Sequence, residues 1–107
     1  MTTLLALALA LGGLHGVVTR GPTTPVCQVG KPCSEPAAGA VLLFSRGGRA
    51  ATRVRTGVDG RYSVRLPAGI YTVRLKPAQR IGGLSPSRVR VRTAMDRLDF
   101  RIDTGIR

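Results

Sequence analysis

Apolar and polar residues alternate along residues 58–75, and this pattern is the strongest structural signal in the chain. Asp59-Gly60 and Pro67-Ala68-Gly69 have the composition of tight turns, since proline presets φ and glycine accepts a positive φ. Between and after these turns every second residue is apolar, which is typical of strands with one buried and one solvated face. The stretch therefore predicts two consecutive strands that form a β-hairpin. Its predicted inward-facing side chains are Tyr62, Val64, Leu66, Tyr71, Val73 and Leu75.

The rest of the chain repeats short apolar segments separated by turns that contain glycine or proline. Segments at 14–20, 40–45, 51–56, 88–92 and 98–103 bring the count to about seven strands, and no convincing helix follows the N-terminal segment. Such closely spaced short strands predict an all-β antiparallel sandwich or barrel. Residues 40–45 are almost continuously apolar, which marks a central strand. The remaining inward-facing candidates are Val41, Leu43, Val54, Val89, Val91, Leu98, Phe100 and Ile102.

The N-terminal apolar run favours export. We assign residues 1–13 to a signal peptide and residues 14–107 to a single domain, because 107 residues fit one domain. The apolar run is shorter than the ~20 residues that span a bilayer, and Ala8-Leu9-Ala10 resembles a cleavage site. No Lys or Arg precedes the run, so either the signal is weak or the true start lies upstream; a buried N-terminal segment is the alternative. We expect a secreted or periplasmic protein with no transmembrane span.

Two cysteines lie in a proline-rich loop between residues 21 and 36. Cys27 and Cys33 are separated by five residues, and an exported chain favours a disulfide between them. Chain-entropy arithmetic gives such a ring about 2–3 kcal/mol of stabilisation. The spacing differs from the C-x-x-C of redox sites, and a zinc site would need two further ligands where only His15 is available.

The net charge of +12 comes from 17 basic and 5 acidic residues. Such an excess attracts polyanions such as acidic glycans, wall polymers or nucleic acid. The alternative is that arginine is simply the default outward-facing residue, since the arginines alternate along strands. We expect no specific nucleic-acid function, because the tyrosines point inward and cannot stack on bases. The candidate polyanion face consists of Arg53, Arg55, Arg61, Arg65, Arg74, Arg88, Arg90 and Arg92.

Nothing in the sequence indicates catalysis. The single histidine, His15, has no nearby residues from which a triad or a metal site would be built. There is no nucleophile elbow, phosphate-binding loop or metal-ligand spacing. We therefore expect no enzyme, no cofactor and no metal. The expected role is that of a monomeric binding or structural module whose partner is an unknown protein or cell-envelope polymer.

Residues 56–73 resemble the signature of carboxypeptidase regulatory-like domains. The shared pattern is T-x-x-D-G-x-[FY]-x-[VIF]-x-L-P-x-G-x-Y-x-[VL], and residues 38–43 resemble the second strand of that family. The resemblance covers residues 14 to about 103. It implies a seven-stranded Greek-key sandwich of the prealbumin-like (transthyretin-like) type, related to collagen-adhesin B-type repeats. It also implies an extracytoplasmic accessory module.

Two activities of related families do not carry over to this chain. Transthyretin-like hydrolases need several histidines and a Tyr-Arg-Gly-Ser ending, whereas this chain has only His15 and ends in Asp103-Thr104-Gly105-Ile106-Arg107. Isopeptide-bonded repeats need a core lysine with an Asn or Asp partner and a buried acid. Lys31 and Lys76 lie in predicted loops or at strand ends, the chain contains no asparagine, and Glu35 lies among prolines. We therefore predict no isopeptide bond.

Overall fold

The computed structural model describes residues 11–30, 32–76 and 83–105, and these residues form an all-β structure without helices. Seven of the ten strands in this part of the chain have four residues or more, and β2, β7 and β9 have two or three. The strands are β1 (Leu11–Gly21), β2 (Glu35–Pro36), β3 (Val41–Arg46), β4 (Arg49–Arg55), β5 (Arg61–Pro67), β6 (Gly69–Lys76), β7 (Gly83–Ser85), β8 (Arg88–Val91), β9 (Met95–Arg97) and β10 (Phe100–Asp103).

Strand β1 organises the first sheet, which we call sheet I and which contains β1, β2, β5, β7, β9 and β10. The first half of β1 pairs with β5 and β9, and its second half pairs with β2 and β10. The pairings with β9 and β10 are parallel, so the prediction of a wholly antiparallel sandwich is wrong in this respect. Parallel neighbours need a long connection, and here most of the chain forms that connection.

Strand β1 also begins earlier than the predicted first strand at 14–20. It starts at Leu11, within the segment assigned to the leader, and Gly12 and Gly13 pair with Leu66 and Arg65 of β5. Residues 1–10, which hold the rest of the predicted signal peptide and its cleavage site, lie outside the described residues.

The second sheet, sheet II, has the strand order β4-β3-β6-β8, and all its pairings are antiparallel. Gly47 and Gly48 connect β3 and β4 in a two-residue hairpin loop, where both glycines have positive φ, at 59° and 79°. Positive φ at both central positions is the geometry of a type I′ turn, which matches the twist of paired strands. The turn predicted at Gly60 is also present, with a φ of 79°.

The hairpin predicted for residues 61–75 does not form. Strands β5 and β6 exist as the alternation predicted, but β5 pairs with β1 in sheet I and β6 pairs with β3 and β8 in sheet II. The chain crosses from one sheet to the other at Ala68, and the Tyr71 hydroxyl donates a 2.7 Å hydrogen bond to the Pro67 carbonyl across this corner. Alternation reveals which side of a strand is buried, but it carries no information about the strand that pairs with it.

The two sheets enclose one hydrophobic core. Phe44 of sheet II meets Phe100 of sheet I edge to face, with ring centroids 6.3 Å apart, and Tyr62 packs against Phe100 at 5.4 Å. Twelve of the fourteen predicted inward-facing residues are buried or pack against this core. The fully or nearly fully buried apolar residues are Leu14, Val18, Ala37, Leu42, Phe44, Tyr62, Val64, Leu66, Tyr71, Val73, Val89, Val91, Phe100 and Ile102.

The predictions for Val41 and Leu43 are wrong. In β3 the residues with 0% exposure are Leu42 and Phe44, and Val41 and Leu43 lie half-buried on the opposite, outer face. The continuous apolar run of β3 hides its phase, because either set of alternate residues is suited to the core. The choice is made by the neighbouring strands, where Leu42 is in register with Val54 and Leu75.

Candidate functional site

The fold divides the eight predicted arginines among three places. Five of them project from the outer face of sheet II, and these are Arg53, Arg55, Arg74, Arg88 and Arg90. Arg61 and Arg65 lie on β5 in sheet I, which forms the other side of the sandwich. Arg92 follows β8 and makes an ion pair of 2.9 Å with Asp96. The predicted residues therefore form a five-arginine face and two further, separate groups.

Two rows of side chains cross the centre of this outer face. In the Leu43 row, Leu43 of β3 stands between Arg53 of β4 and Arg74 of β6. In the Val41 row, Val41 likewise stands between Arg55 and Lys76. Neighbouring strands are about 5 Å apart and alternate residues along a strand about 7 Å apart. The four cations are thus anchored at the corners of a rectangle of about 10 by 7 Å around a half-buried apolar centre.

Acidic residues are absent from sheet II altogether. The eight basic residues of its strands are Arg46, Arg49, Arg53, Arg55, Arg74, Lys76, Arg88 and Arg90. The five acids of the chain, Glu35, Asp59, Asp96, Asp99 and Asp103, all lie in sheet I or in connecting turns. The four ion pairs among the described residues use Arg20, Arg61, Arg92 and Arg97. Sheet II therefore carries a positive charge that its own strands do not compensate.

Arg46 is an exception on sheet II because it has a structural role. Its guanidinium lies over the Tyr71 ring, 5.9 Å from the centroid, and donates a 3.2 Å hydrogen bond to the Ala68 carbonyl. Gly69 leaves room for this contact, since a Cβ at that position would lie 2.8 Å from the Arg46 Cζ. Arg46 therefore fixes the corner between β5 and β6, and we do not include it in the candidate site.

Sheet I carries a cavity of about 290 Å³ whose charges are balanced. Its lining residues are His15, Gly16, Val17, Arg61, Tyr62 and Arg97. Asp99 beside it accepts a 2.9 Å hydrogen bond from the Val17 N–H and pairs with Arg97 at 3.4 Å. The Val17 N–H, and after it Arg97, lowers the pKa of Asp99. Arg61 is paired with Asp59 at 3.4 Å. Both arginines of this cavity are thus partnered by carboxylates.

The remaining shifted pKa values of the described residues also come from structural contacts. Burial, and then the charge of Asp99, raises the pKa of Tyr62, whose hydroxyl donates a hydrogen bond to the Leu98 carbonyl. The hydrogen bond from Arg92 lowers the pKa of Asp96 and in turn raises that of Arg92. In the part of the chain that the structure describes, no three His, Cys, Asp or Glu side chains are grouped to hold a metal ion.

The predicted disulfide is confirmed. Cys27 and Cys33 are bonded, with their Cα atoms 5.5 Å apart. The closed loop borders an open cavity of about 390 Å³, and Val26 and Val29 are exposed on it, Val29 completely. None of the described residues belongs to a helix long and apolar enough to cross a membrane.

Sequence reasoning missed three members of the central rows. The sequence pattern predicts Val41 and Leu43 in the core and Lys76 in a loop or at a strand end. A signal for this surface is present in the sequence: Asp59 is the only acid between residues 36 and 95, and it lies in a turn. Every strand of sheet II comes from this segment, whose single acid lies in a turn, and this produces an uncompensated face.

Comparison with known proteins identifies the fold. The minor pilin GBS52 of the gram-positive pathogen Streptococcus agalactiae matches 89% of this chain with a TM-score of 0.56 and 14% sequence identity, and this chain covers 45% of it. The TIE protein of Bacillus anthracis matches 88% with a TM-score of 0.56 and 21% identity, and this chain covers 16% of it. This chain therefore spans less than half the length of either protein. No family model and no curated protein matches the chain. The likeness shows a β-sandwich of the kind found in these proteins.

Proposed function

We propose that this protein is a non-catalytic extracytoplasmic accessory module that binds or scaffolds another component of the cell envelope. The observation that carries the proposal is the disulfide between Cys27 and Cys33, because such bonds persist in oxidising compartments. The apolar N-terminal segment and the likeness in fold to a minor pilin support the same location. The titratable groups with shifted pKa values serve structural contacts, which supports a role without catalysis.

The finer identity we propose is a carboxypeptidase regulatory-like domain with a prealbumin-like sandwich. The resemblance of residues 56–73 supports it, because the structure gives the matched residues the roles that a sandwich requires. Tyr62 and Tyr71 are buried on opposite sheets, and Gly60 occupies a turn with positive φ. A Cβ at Gly60 would lie 2.5 Å from the Val18 carbonyl oxygen, so this position accepts glycine alone.

Fractionation of a bacterial host that expresses the full chain with a C-terminal tag tests this proposal. We expect the protein outside the cytoplasm, with both cysteines protected from alkylation. The matched control is Leu7→Arg, which interrupts the apolar segment and should retain the protein in the cytosol with free thiols. Recovery of the unaltered chain in the cytosol with reduced Cys27 and Cys33 would contradict the proposal.

A second candidate function is the binding of anionic polymers. The segregation of charge favours it: the strands of sheet II hold eight basic residues and no acid, while four of the five acids pair with arginines outside those strands. If the arginines were merely default outward residues, the acids would be shared between the two sheets. Retention of the folded protein on immobilised heparin, with elution by salt, tests this function. Passage through the column at low salt would contradict it.

A further inference from the structure

We propose that the Leu43 row and the Val41 row together form a binding track for a linear phosphate polymer that runs along β3. In this arrangement Arg53 and Arg55 hold phosphates on one side of the track, and Arg74 and Lys76 hold them on the other. The polymer runs over Leu43 and Val41, between the two lines of cations. This inference rests on the second candidate function and adds the location of the site, its ligand class and its mode of recognition.

The charge of the track argues for an anion as its ligand. Each row places one cation on each side of an apolar residue, and no acid is present on the strands that carry them. Guanidinium groups bind phosphate oxygens through paired hydrogen bonds, which makes arginine suited to this ligand. Arg88 and Arg90 on the far strand β8 extend the positive potential beyond the two rows.

The dimensions of the track argue for a polymer over a small anion. The four cations are anchored about 10 Å apart across the strands and about 7 Å apart along them, a span larger than one phosphate group. A chain of phosphates that follows β3 meets a cation on each side at Leu43 and again at Val41. The half-buried side chains of Leu43 and Val41 form the uncharged floor between the cations.

An acidic polypeptide fits this face less well. An extended peptide needs hydrogen-bond partners for its own backbone N–H and C=O groups, and a sheet supplies these at an edge strand. The track lies on the flat face of two inner strands and one edge strand, where side chains alone are presented. A phosphate polymer has no backbone N–H groups and requires no such partners.

The positions of the aromatic residues determine the mode of recognition. All four aromatic side chains, Phe44, Tyr62, Tyr71 and Phe100, are buried, with at most 5% exposure. The track therefore has no ring on which a base can stack, and binding depends on charge alone. Polyphosphate and a thymidine oligonucleotide of equal charge should bind with similar affinity.

The experiment measures the binding of inorganic polyphosphate to the full, oxidised chain at increasing salt. If four cations take part, the affinity should fall about 50-fold between about 50 and about 200 mM salt, by the single-strand relation between salt and the number of contacts. In the variant with Arg53→Gln and Arg74→Gln, two contacts remain and the fall should be about 7-fold. The matched control, Arg61→Gln with Arg65→Gln, removes the same charge from sheet I and should retain the wild-type salt dependence.

Each result has a distinct meaning. Equal weakening by the two double variants would overturn the track, because net charge alone would then explain binding, while the anion-binding function would stand. If the wild type did not bind polyphosphate at low salt, both the track and the anion-binding function would be contradicted. Preference for an oligonucleotide over polyphosphate, or for polyglutamate over either, would also overturn the inference. The variant with Arg53→Lys and Arg74→Lys keeps the charge and should have the wild-type salt dependence. The thermal midpoints of this variant and of the glutamine variant verify that both proteins remain folded.

Discussion

The two sheets share one core but carry their charges in opposite ways. Sheet I and the turns beside it hold every acidic residue, and its Arg20, Arg61 and Arg97 pair with carboxylates. Sheet II has no acid in any strand. The inner faces are alike, since both present buried aliphatic and aromatic residues. The contrast shows that hydrophobic packing specifies the fold equally on both sides, while the outer faces are free to differ.

The sheets differ in backbone crowding as well. Three glycines of β1 lie where a Cβ would come within 2.3 Å of a carbonyl oxygen: Gly12 meets Arg92, Gly13 meets Val64 and Gly16 meets Leu98. Strand β1 has neighbours on both sides along most of its length, and the chain folds over it where β9 passes into β10. Sheet I is therefore constrained by its own packing, whereas the outer face of sheet II is open to a ligand.

The largest expected effect comes from Gly16→Ala in sheet I. The new Cβ would lie 2.3 Å from the Leu98 carbonyl oxygen and 2.6 Å from Asp99 Oδ1, and the backbone must shift to accept it. We expect a loss of about 3 kcal/mol in the free energy of unfolding, measured by urea denaturation. Gly83→Ala in the same sheet is the control, because nothing lies within 4 Å of that Cβ. Equal stability of the two variants would show that β1 is not crowded.

Removing the disulfide should have the next largest effect. Cys27→Ser with Cys33→Ser opens a short ring, and we expect a loss of about 2 kcal/mol in the free energy of unfolding. Reduction of the wild-type protein should produce the same change. The loop leaves from the end of β1 in sheet I, so the salt dependence of polyphosphate binding should stay unchanged. A change in that dependence would mean that the two sides of the molecule are coupled.

Acid should act through sheet I, since sheet II has no carboxylates. The pKa of Asp99 is lowered by the Val17 N–H first and by Arg97 next. A lowered pKa in the folded state stabilises the protein above the unfolded value of about 4, and this contribution is lost as the pH falls through the folded value. Between about pH 5 and about pH 3, the titration range of a carboxylate, the thermal midpoint of the Asp99→Asn variant should therefore fall less than that of the wild type. An unchanged drop would assign acid sensitivity to other groups.

The smallest effects should come from neutralising arginines, and their signs should differ between the sheets. Arg53→Gln with Arg74→Gln removes repulsion from a face without acids, so the thermal midpoint at low salt should rise slightly. Arg97→Gln removes the partner of Asp99 and should lower it. Both variants should change the free energy of unfolding by no more than about 0.5 kcal/mol, and the changes should shrink at high salt. Equal signs in calorimetry at low salt would contradict the difference in charge between the sheets.

Local pattern was sufficient to predict most strands and nearly all of the core. Strands β5, β6, β8 and β10 alternate strictly, and their inward residues were predicted correctly. Strand β3 was predicted in the wrong phase because its run of apolar residues has no alternation. Strands β2, β7 and β9 were missed because two or three residues cannot establish a period. Pairing between strands depends on distant segments, so neither the crossing at Ala68 nor the parallel pairing of β1 followed from the pattern.

The candidate site was predictable in its residue type but not in its location. The alternation identified outward-facing arginines correctly, but only the order β4-β3-β6-β8 shows which of them share a face. Strand β5 follows β4 directly in the chain and nevertheless lies in the other sheet, which separates Arg61 from Arg55. The central position of Leu43 depends on the phase of β3, which the sequence pattern left ambiguous.

The parallel pairing of β1 with β10 has a consequence for the timing of folding. The Val17 N–H finds its partner in Asp99, 82 residues further along the chain, and Val18 lies beside Phe100. Sheet I thus remains incomplete until β10, the last strand of the described residues, has been synthesised. Contacts at such separation are slow to form, because the loop between them must close first. Until residues 100–103 reach β1, the second half of β1 lacks its parallel neighbour and β7 lacks β10 as its partner.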